Sequence, residues 1–228
     1  MRRAAIAWSA GKDSCLALHL AREAGWQIER FITFCNTEGA SLSHGLPSAL
    51  LADQVGALGG KSLCLSVGEG GYAAAFDQAL SGLVRAEIGA MVFGDIDLQA
   101  HRDWIEAACA RHGIEALFPL WGRERAWVAQ EVIARGLRAR VVSVDASLLV
   151  AEACGREYDA QWIAALPAGV CPAGEDGEFH TFVHATPFMD LRLGPGRLRT
   201  LAAEPPLRPR PRHVIEFAAG DWTPGEAA

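Results

Sequence analysis

Short apolar runs alternate with longer segments of helical period over the first 136 residues. The runs Ala4–Trp8, Ile28–Cys35, Lys61–Leu65, Ala90–Phe93 and Glu115–Phe118 have the length of buried strands. Between and after them, Ser14–Ala24, Leu46–Leu58, Tyr72–Glu87, His101–His112 and Glu124–Arg135 repeat apolar positions at helical spacing. Strands apolar on both faces, separated by such helices, predict βαβ units and a parallel sheet covered on both sides. Gly25, Gly59, Gly89, Gly113 and Gly136 each follow a helical run and are expected as its C-terminal stop. After Val141–Val144 the pattern loosens. Residues 155–228 carry Gly, Pro and Arg, and alternate only over Glu178–Ala185 and His213–Phe217. The expected organisation is an α/β domain over residues 1–136, followed by a smaller, irregular α+β lobe over 137–228. Within that lobe the Pro-rich stretch 207–213 is expected as an extended surface linker and Thr223–Ala228 as a frayed tail.

Composition supports a packed protein. Of 228 residues, 50% are hydrophobic and 21% charged, which excludes a chain too polar to fold. A formal net charge of −6 argues against a broad nucleic-acid footprint, which needs a clustered positive face. No apolar run approaches the roughly 18 residues of a membrane span. Lys12 and Asp13 interrupt the apolar start before a signal-like core forms, so a cytoplasmic protein is expected. The six cysteines (15, 35, 64, 109, 154 and 171) contain no Cys-x-x-Cys pair. They are expected as free core thiols in a reducing compartment, forming neither a zinc site nor a redox pair.

Chemistry concentrates first in Ser9-Ala10-Gly11-Lys12-Asp13-Ser14, at the junction of the first strand and first helix. Only two lysines occur against 19 arginines, and Lys12 is one of them. A strand feeding a helix through a Ser/Gly loop aims several backbone N–H groups and the positive helix end at one spot, which favours an anion. Gly11 allows close approach, Lys12 adds a mobile charge, and Ser9 and Ser14 add hydroxyls. Phosphate is the obvious guest. The Walker spacing Gly-x-x-x-x-Gly-Lys-Ser/Thr is absent, and so is the dinucleotide spacing Gly-x-Gly-x-x-Gly.

Two further stretches stand out. One runs from Phe93-Gly94-Asp95-Ile96 through His101-Arg102-x-Trp104-x-Glu106 to Pro119-Leu120-Trp121. Asp95, at the carboxyl edge of the expected sheet, either faces a bound ligand or caps a turn. Arg102 and Glu106, four apart, form either a solvated helix pair or part of a substrate site. Trp121 either packs a strand end or floors a pocket. The other is Gly174-Glu175-Asp176-Gly177-Glu178-Phe179-His180-Thr181. Along a strand Glu178 and His180 share one face, with Phe179 and Thr181 on the other. Two acids and an imidazole on one rim can take up a proton or bind a cationic substrate. Without a further ligand, Glu175, Glu178 and His180 do not suggest a zinc site. The arginines at 192, 197, 199, 208, 210 and 212 present either a solubilising basic edge or a surface for an anionic partner.

The first loop resembles the Ser-Gly-Gly-x-Asp-Ser signature of the PP-loop ATP pyrophosphatases, with Ala10 in place of the first glycine. Together with Gly94-Asp95-Ile96, Pro119-Leu120-Trp121 and Gly174–Thr181, the chain is similar to the diphthine–ammonia ligase family, with matches running in order from residue 6 to about 188. The resemblance implies a Rossmann-like (HUP-type) sheet and the cofactors ATP and Mg²⁺. It implies adenylation of a carboxylate with release of pyrophosphate, then transfer of free ammonia. It implies nucleotide contacts at Ser9, Ala10, Gly11, Lys12, Asp13 and Ser14, at Phe34 and Cys35 where such folds receive adenine, and at His44, Gly94 and Asp95. Asp13 would serve loop geometry or touch Mg²⁺. The acceptor side would be formed by Arg102, Trp121, Gly174, Glu175, Gly177, Glu178, His180 and Thr181. Of these, Glu175, Glu178 and His180 join Lys12 as the expected catalytic residues. Trp104 stands where members acting on translation elongation factor 2 carry arginine, which points to a different carboxylic acceptor such as a corrinoid acid. Rival readings are a tRNA-thiolating PP-loop enzyme, which would need paired catalytic cysteines, and a non-enzymatic adenine-nucleotide sensor. The expected partners are a carboxylate acceptor and ammonia, with neither membrane nor nucleic acid; a homodimer stays open.

Overall fold

The computed structural model describes residues 2–205 and 208–225. Packing divides the chain into two units. One holds the residues up to Ser9 with Asp13–Arg123; the other holds Ala10–Lys12 with the residues from Glu124 on.

The first unit is a five-stranded parallel sheet. Its strands are β1 (Arg2–Ala7), β2 (Trp26–Cys35), β3 (Lys61–Ser66), β4 (Ala90–Val92) and β5 (Glu115–Leu117). They lie in the order β3-β2-β1-β4-β5. Helices α1 (Lys12–Glu23), α2 (Ser48–Ala57), α3 (Gly71–Arg85) and α4 (Gln99–Arg111) connect them. The order reverses at β1, so right-handed crossovers place α1 and α2 on one face and α3 and α4 on the other. Burial agrees: Ala5, Ile32 and Met91 pack with Phe76 and Leu80 of α3 and Ile105 of α4. On the opposite face Trp8 meets Phe31 edge-on and donates its indole N–H to Gln54 of α2 at 2.9 Å. Folds wound this way bind ligands where the order reverses, beyond the carboxyl ends of β1 and β4.

The strands and helices expected in this region all form. Four of the five glycine stops are left-handed, with φ between 67° and 86° at Gly25, Gly59, Gly113 and Gly136. Gly89 is not. Helix α3 ends two residues earlier, at Arg85, with Glu87 taking the left-handed position at φ 55°. The edge strand β3 is exposed along most of its length rather than buried on both faces.

The second unit contains α5 (Arg125–Ala134), the short α6 (Ala160–Ala164) and a six-stranded sheet. Its strands β6 (Arg138–Asp145), β7 (Phe179–Thr186), β8 (Met189–Leu193), β9 (Arg197–Leu201), β10 (Arg212–Glu216) and β11 (Trp222–Pro224) lie in the order β11-β8-β7-β6-β10-β9. All of its strand pairs are antiparallel. The region is more regular than its composition suggests, because long-range pairing orders short segments that have no local period of their own. Arg212 and His213 are sheet residues, not linker, and Thr223 and Pro224 pair with β8. Leu207 of the expected linker, and Glu226–Ala228 of the expected tail, lie outside the described residues.

Two of the six cysteines depart from expectation. Cys35 and Cys64, 29 residues apart, are disulfide-bonded across the neighbouring strands β2 and β3, with their Cα atoms 6.4 Å apart. Linear spacing could not show this, because the pairing arises from strand register. Cys15 and Cys109 are free and buried. Among the described residues no helix is long and apolar enough to cross a membrane.

Candidate functional site

The loop after β1 is closely held. Ala10 is fully buried in the left-handed region at φ 66°. That conformation costs an L-residue roughly 1–2 kcal/mol, and it explains why glycine belongs there in the related signature. Ala10→Gly is therefore expected to leave stability unchanged or to raise it by up to about 1 kcal/mol, the relieved strain being offset by a more flexible unfolded chain. The denaturant midpoint measures this, and a clear loss would show that Ala10 is unstrained.

In the first unit, Ser9 Oγ lies 3.1 Å from Ser14 Oγ. His44, in the loop after β2, meets the Ser9 carbonyl through Nδ1 at 2.9 Å. A carbonyl only accepts, so Nδ1 carries the proton. Gly94, just past β4, sits against the same turn. A Cβ at this position would lie 3.1 Å from the backbone of Asp13 and Ser14. Phe34 meets Tyr72 at a tilt and stacks on Phe76, with centroids 4.8 and 5.8 Å away. The carbonyls of Phe34 and Cys35 already accept N–H groups from Leu42 and Val67.

Asp95 hydrogen-bonds the His101 Nδ1 at the start of α4. The bond to Asp95 holds the His101 imidazolium above its ordinary pKa, against the opposing effect of burial. Its stabilisation is fully present below about pH 6.5, the unfolded value, and is lost as pH rises through the higher folded value. In an NMR titration His101 should titrate above 6.5, and Asp95→Asn should bring it back. Equal values in the two proteins would refute the pairing. Desolvation of the Tyr72 hydroxyl, with a smaller effect of the Asp95 charge, pushes its pKa up to about 12.

Arg102 donates to Glu106 at 2.7 Å, and its guanidinium lies 4.6 Å from the Trp121 ring centroid and 5.2 Å from that of Phe118. The helix pair and Trp121 thus form one assembly. Trp104, 37% exposed, packs on Tyr72 and Phe76 beside it.

The second unit gathers around Lys12. Its backbone N–H donates to Thr181 Oγ1 at 3.1 Å, and the Val183 N–H donates to the Ala10 carbonyl at 2.9 Å. Lys12 is buried, with Nζ 5.7 and 5.9 Å from the ring centroids of Phe179 and Tyr158. Such rings attract a desolvated cation. Tyr158 donates its hydroxyl to the Pro172 carbonyl at 2.6 Å, which ties the ring to the motif loop. Gly174 is left-handed at φ 69°, and a Cβ there would lie 3.0 Å from the Phe179 carbonyl. Glu178 is buried; its carboxylate accepts the N–H groups of Cys171 at 2.8 Å and Asp176 at 3.0 Å. Its oxygens therefore shape the 171–178 turn from inside. Gly177 is left-handed, Glu175 and His180 are half-buried, and Arg125 donates to Asp176 at 2.8 Å.

Sequence reasoning missed Tyr158, Tyr72 and Arg125. Each lies where only the fold makes it a neighbour; the nearest sequence signal was a lone tyrosine in the polar stretch Gly155–Asp159. Among the described residues no group of three or more His, Cys, Asp or Glu converges to hold a metal ion. The donors around residues 9–14 (a helix N-terminus, one ammonium and two hydroxyls) suit a phosphate chain.

Comparison with known proteins identifies the family. No curated protein matches the chain. A similar solved structure, described as a predicted subunit of tRNA methyltransferase from Methanocaldococcus jannaschii DSM, shares 15% identity over 81% of this chain and 97% of its own. Its TM-score is 0.44, a likeness too loose to bear on function. The family model for the diphthamide synthase N-terminal domain matches residues 1–116, and that for the diphthamide synthase C-terminal domain matches residues 124–198. With both models matched in order along most of its length, the chain belongs to the diphthamide synthase family, the diphthine–ammonia ligase branch of the PP-loop superfamily.

Proposed function

We propose that the protein is an ATP-dependent carboxylate–ammonia ligase. The observation that carries this reading is the β1–α1 loop, where the N-terminus of α1, the buried Lys12 and the Ser9–Ser14 hydroxyl pair form a cradle for a polyanion. The β- and γ-phosphates of ATP occupy that cradle. A carboxylate oxygen of the acceptor attacks the α-phosphorus, the bond to the β-phosphate oxygen breaks, and pyrophosphate leaves with its charge met by Lys12 and the loop amides. Ammonia then attacks the acyl carbon, AMP departs, and the proton shed by nitrogen passes to a nearby base.

His180 and Glu175, half-buried beside Thr181, are the candidates for that base and for orienting ammonia. Glu178 serves the same step indirectly, since both of its oxygens hold backbone N–H groups. Adenine lies against Phe34, with His44, Gly94 and Asp95 nearby in the nucleotide-binding set. Mg²⁺ would be held by phosphate oxygens with Asp13, a mode that needs only one or two protein carboxylates, and would neutralise charge on the leaving group. Arg102, on its Trp121 and Phe118 platform, is a fixed cation suited to an anionic acceptor. The acceptor is a carboxylic acid, either diphthine-like or a small metabolite; Trp104 and Tyr72 favour a flat apolar body.

The test is product analysis. Full-length protein with Mg–ATP, ammonium and a panel of carboxylates should form AMP and pyrophosphate in equal amounts with an amide. ADP as product, or nucleotide binding with no turnover for any carboxylate, would overturn the ligase reading, the latter in favour of a sensor.

A further inference from the structure

The chain beyond residue 198 lies outside both matched regions, yet it reaches the motif loop. Arg212, the first residue of β10, donates from Nη1 to the Gly177 carbonyl at 2.7 Å and from Nε to Ser143 Oγ at 2.9 Å. Two residues earlier, Arg210 donates to Asp145 Oδ2 at 3.0 Å. Asp145, whose side chain is fully buried, donates its own N–H to the Glu178 carbonyl at 2.7 Å. Glu178 closes the turn by accepting from Cys171 and Asp176. The turn is therefore held by its own carboxylate within, by β6 on one side, and by the guanidinium of β10 on the other.

Only arginine does this well. Its planar fork spans two acceptors at fixed spacing, whereas a lysine ammonium on a flexible stem holds one at a time. The placement is also expensive. Arg212 Nη2 is buried with no protein partner among the described residues, and burial lowers the pKa of the guanidinium. An apolar side chain of similar volume would suit the interior at least as well. The tether to Gly177 gives the charge a reason to be there.

We propose that Arg212 is a positioning residue, by which strand β10 latches the Gly174–Glu178 turn so that Glu175, His180 and Thr181 keep their places. Its consequence for catalysis rests on the ligase reading; the latch itself does not.

Hydrogen exchange on the full-length protein tests the latch. In Arg212→Met the amides of Cys171 and Asp176 should exchange about tenfold or more faster, while those of β1 and β4 keep their rates. Arg212→Lys should fall between Arg212→Met and the parent protein. Millimolar methylguanidinium should slow the turn again in Arg212→Ala, a rescue that a general loss of stability would not show. Arg199→Ala, which removes only the exposed Arg199–Glu216 pair of β9 and β10, should leave the turn unchanged. In the AMP-forming assay Arg212→Met should lower kcat several-fold with KM for ATP unchanged. Parent-like exchange at Cys171 and Asp176, or acceleration spread evenly over the chain, would overturn the latch. If the parent protein forms no AMP with any carboxylate, the ligase reading falls and the exchange data alone decide the latch.

Discussion

Lys12→Met should lower AMP formation by about 10²–10³-fold, the loss seen when one preorganised electrostatic donor is removed from a dry site. Methionine keeps the length of the stem, so the substitution removes the ammonium, with its charge, its hydrogen-bond donors and its cation–π contact with Tyr158 and Phe179. Replacing a buried ion by an apolar isostere is close to neutral for folding or favourable. The thermal midpoint should therefore hold or rise slightly while turnover collapses. That separation makes the substitution informative, since a folding defect would move both together. Turnover within about threefold of the parent protein would remove the loop from the mechanism.

Gly94→Ala should act from the other side of the same loop. Its new Cβ would stand 3.1 Å from Asp13 C and Ser14 N, and 3.3 Å from the Asp13 carbonyl oxygen. All three are backbone atoms, so no side chain can swing aside, and either β4 or the start of α1 must shift. Overpacking of this kind costs about 1–3 kcal/mol, and displacing a binding loop by even part of an ångström weakens what it positions. The expectation is a lower thermal midpoint and ATP binding weakened about tenfold or more by calorimetry. Gly56→Ala is the matched control. It lies inside α2 with nothing within 4 Å of an added Cβ, so it should gain about 0.5–1 kcal/mol and leave nucleotide affinity alone. Unchanged ATP affinity in Gly94→Ala would mean that this close approach has no part in binding.

The strand–turn–helix junction at residues 9–14 was legible because it is local: its three parts are contiguous in sequence, and the expectation of an anion follows from their backbone alone. The same holds for the five parallel strands and their helices, whose periods are properties of short windows. The limits of the local reading lie at particular residues. Nothing in the sequence distinguishes Glu87 from Gly89 as the left-handed stop of α3, because the deciding factor is where β4 must begin. Cys35 and Cys64 became partners through the register of β2 with β3. After residue 155 only Glu178–Ala185 and His213–Phe217 alternate, and they became β7 and β10; β8, β9 and β11 have no period of their own and form by pairing with neighbouring strands.

The partners of Glu178 could not be read from composition. An acid in a charged turn invites a catalytic reading, but its two oxygens face the backbone of its own loop. The local chain therefore determined the parallel-sheet architecture, the phosphate-type loop and the family. Tertiary structure alone decided which groups stand against that loop: Thr181, 169 residues from Lys12, meets its N–H, and Arg212 reaches Gly177 from a strand that no motif contains. The physical reason is range. Hydrophobic period and turn chemistry act over a few residues, while side-chain hydrogen bonds depend on strand order and register, which are set by contacts across the whole chain.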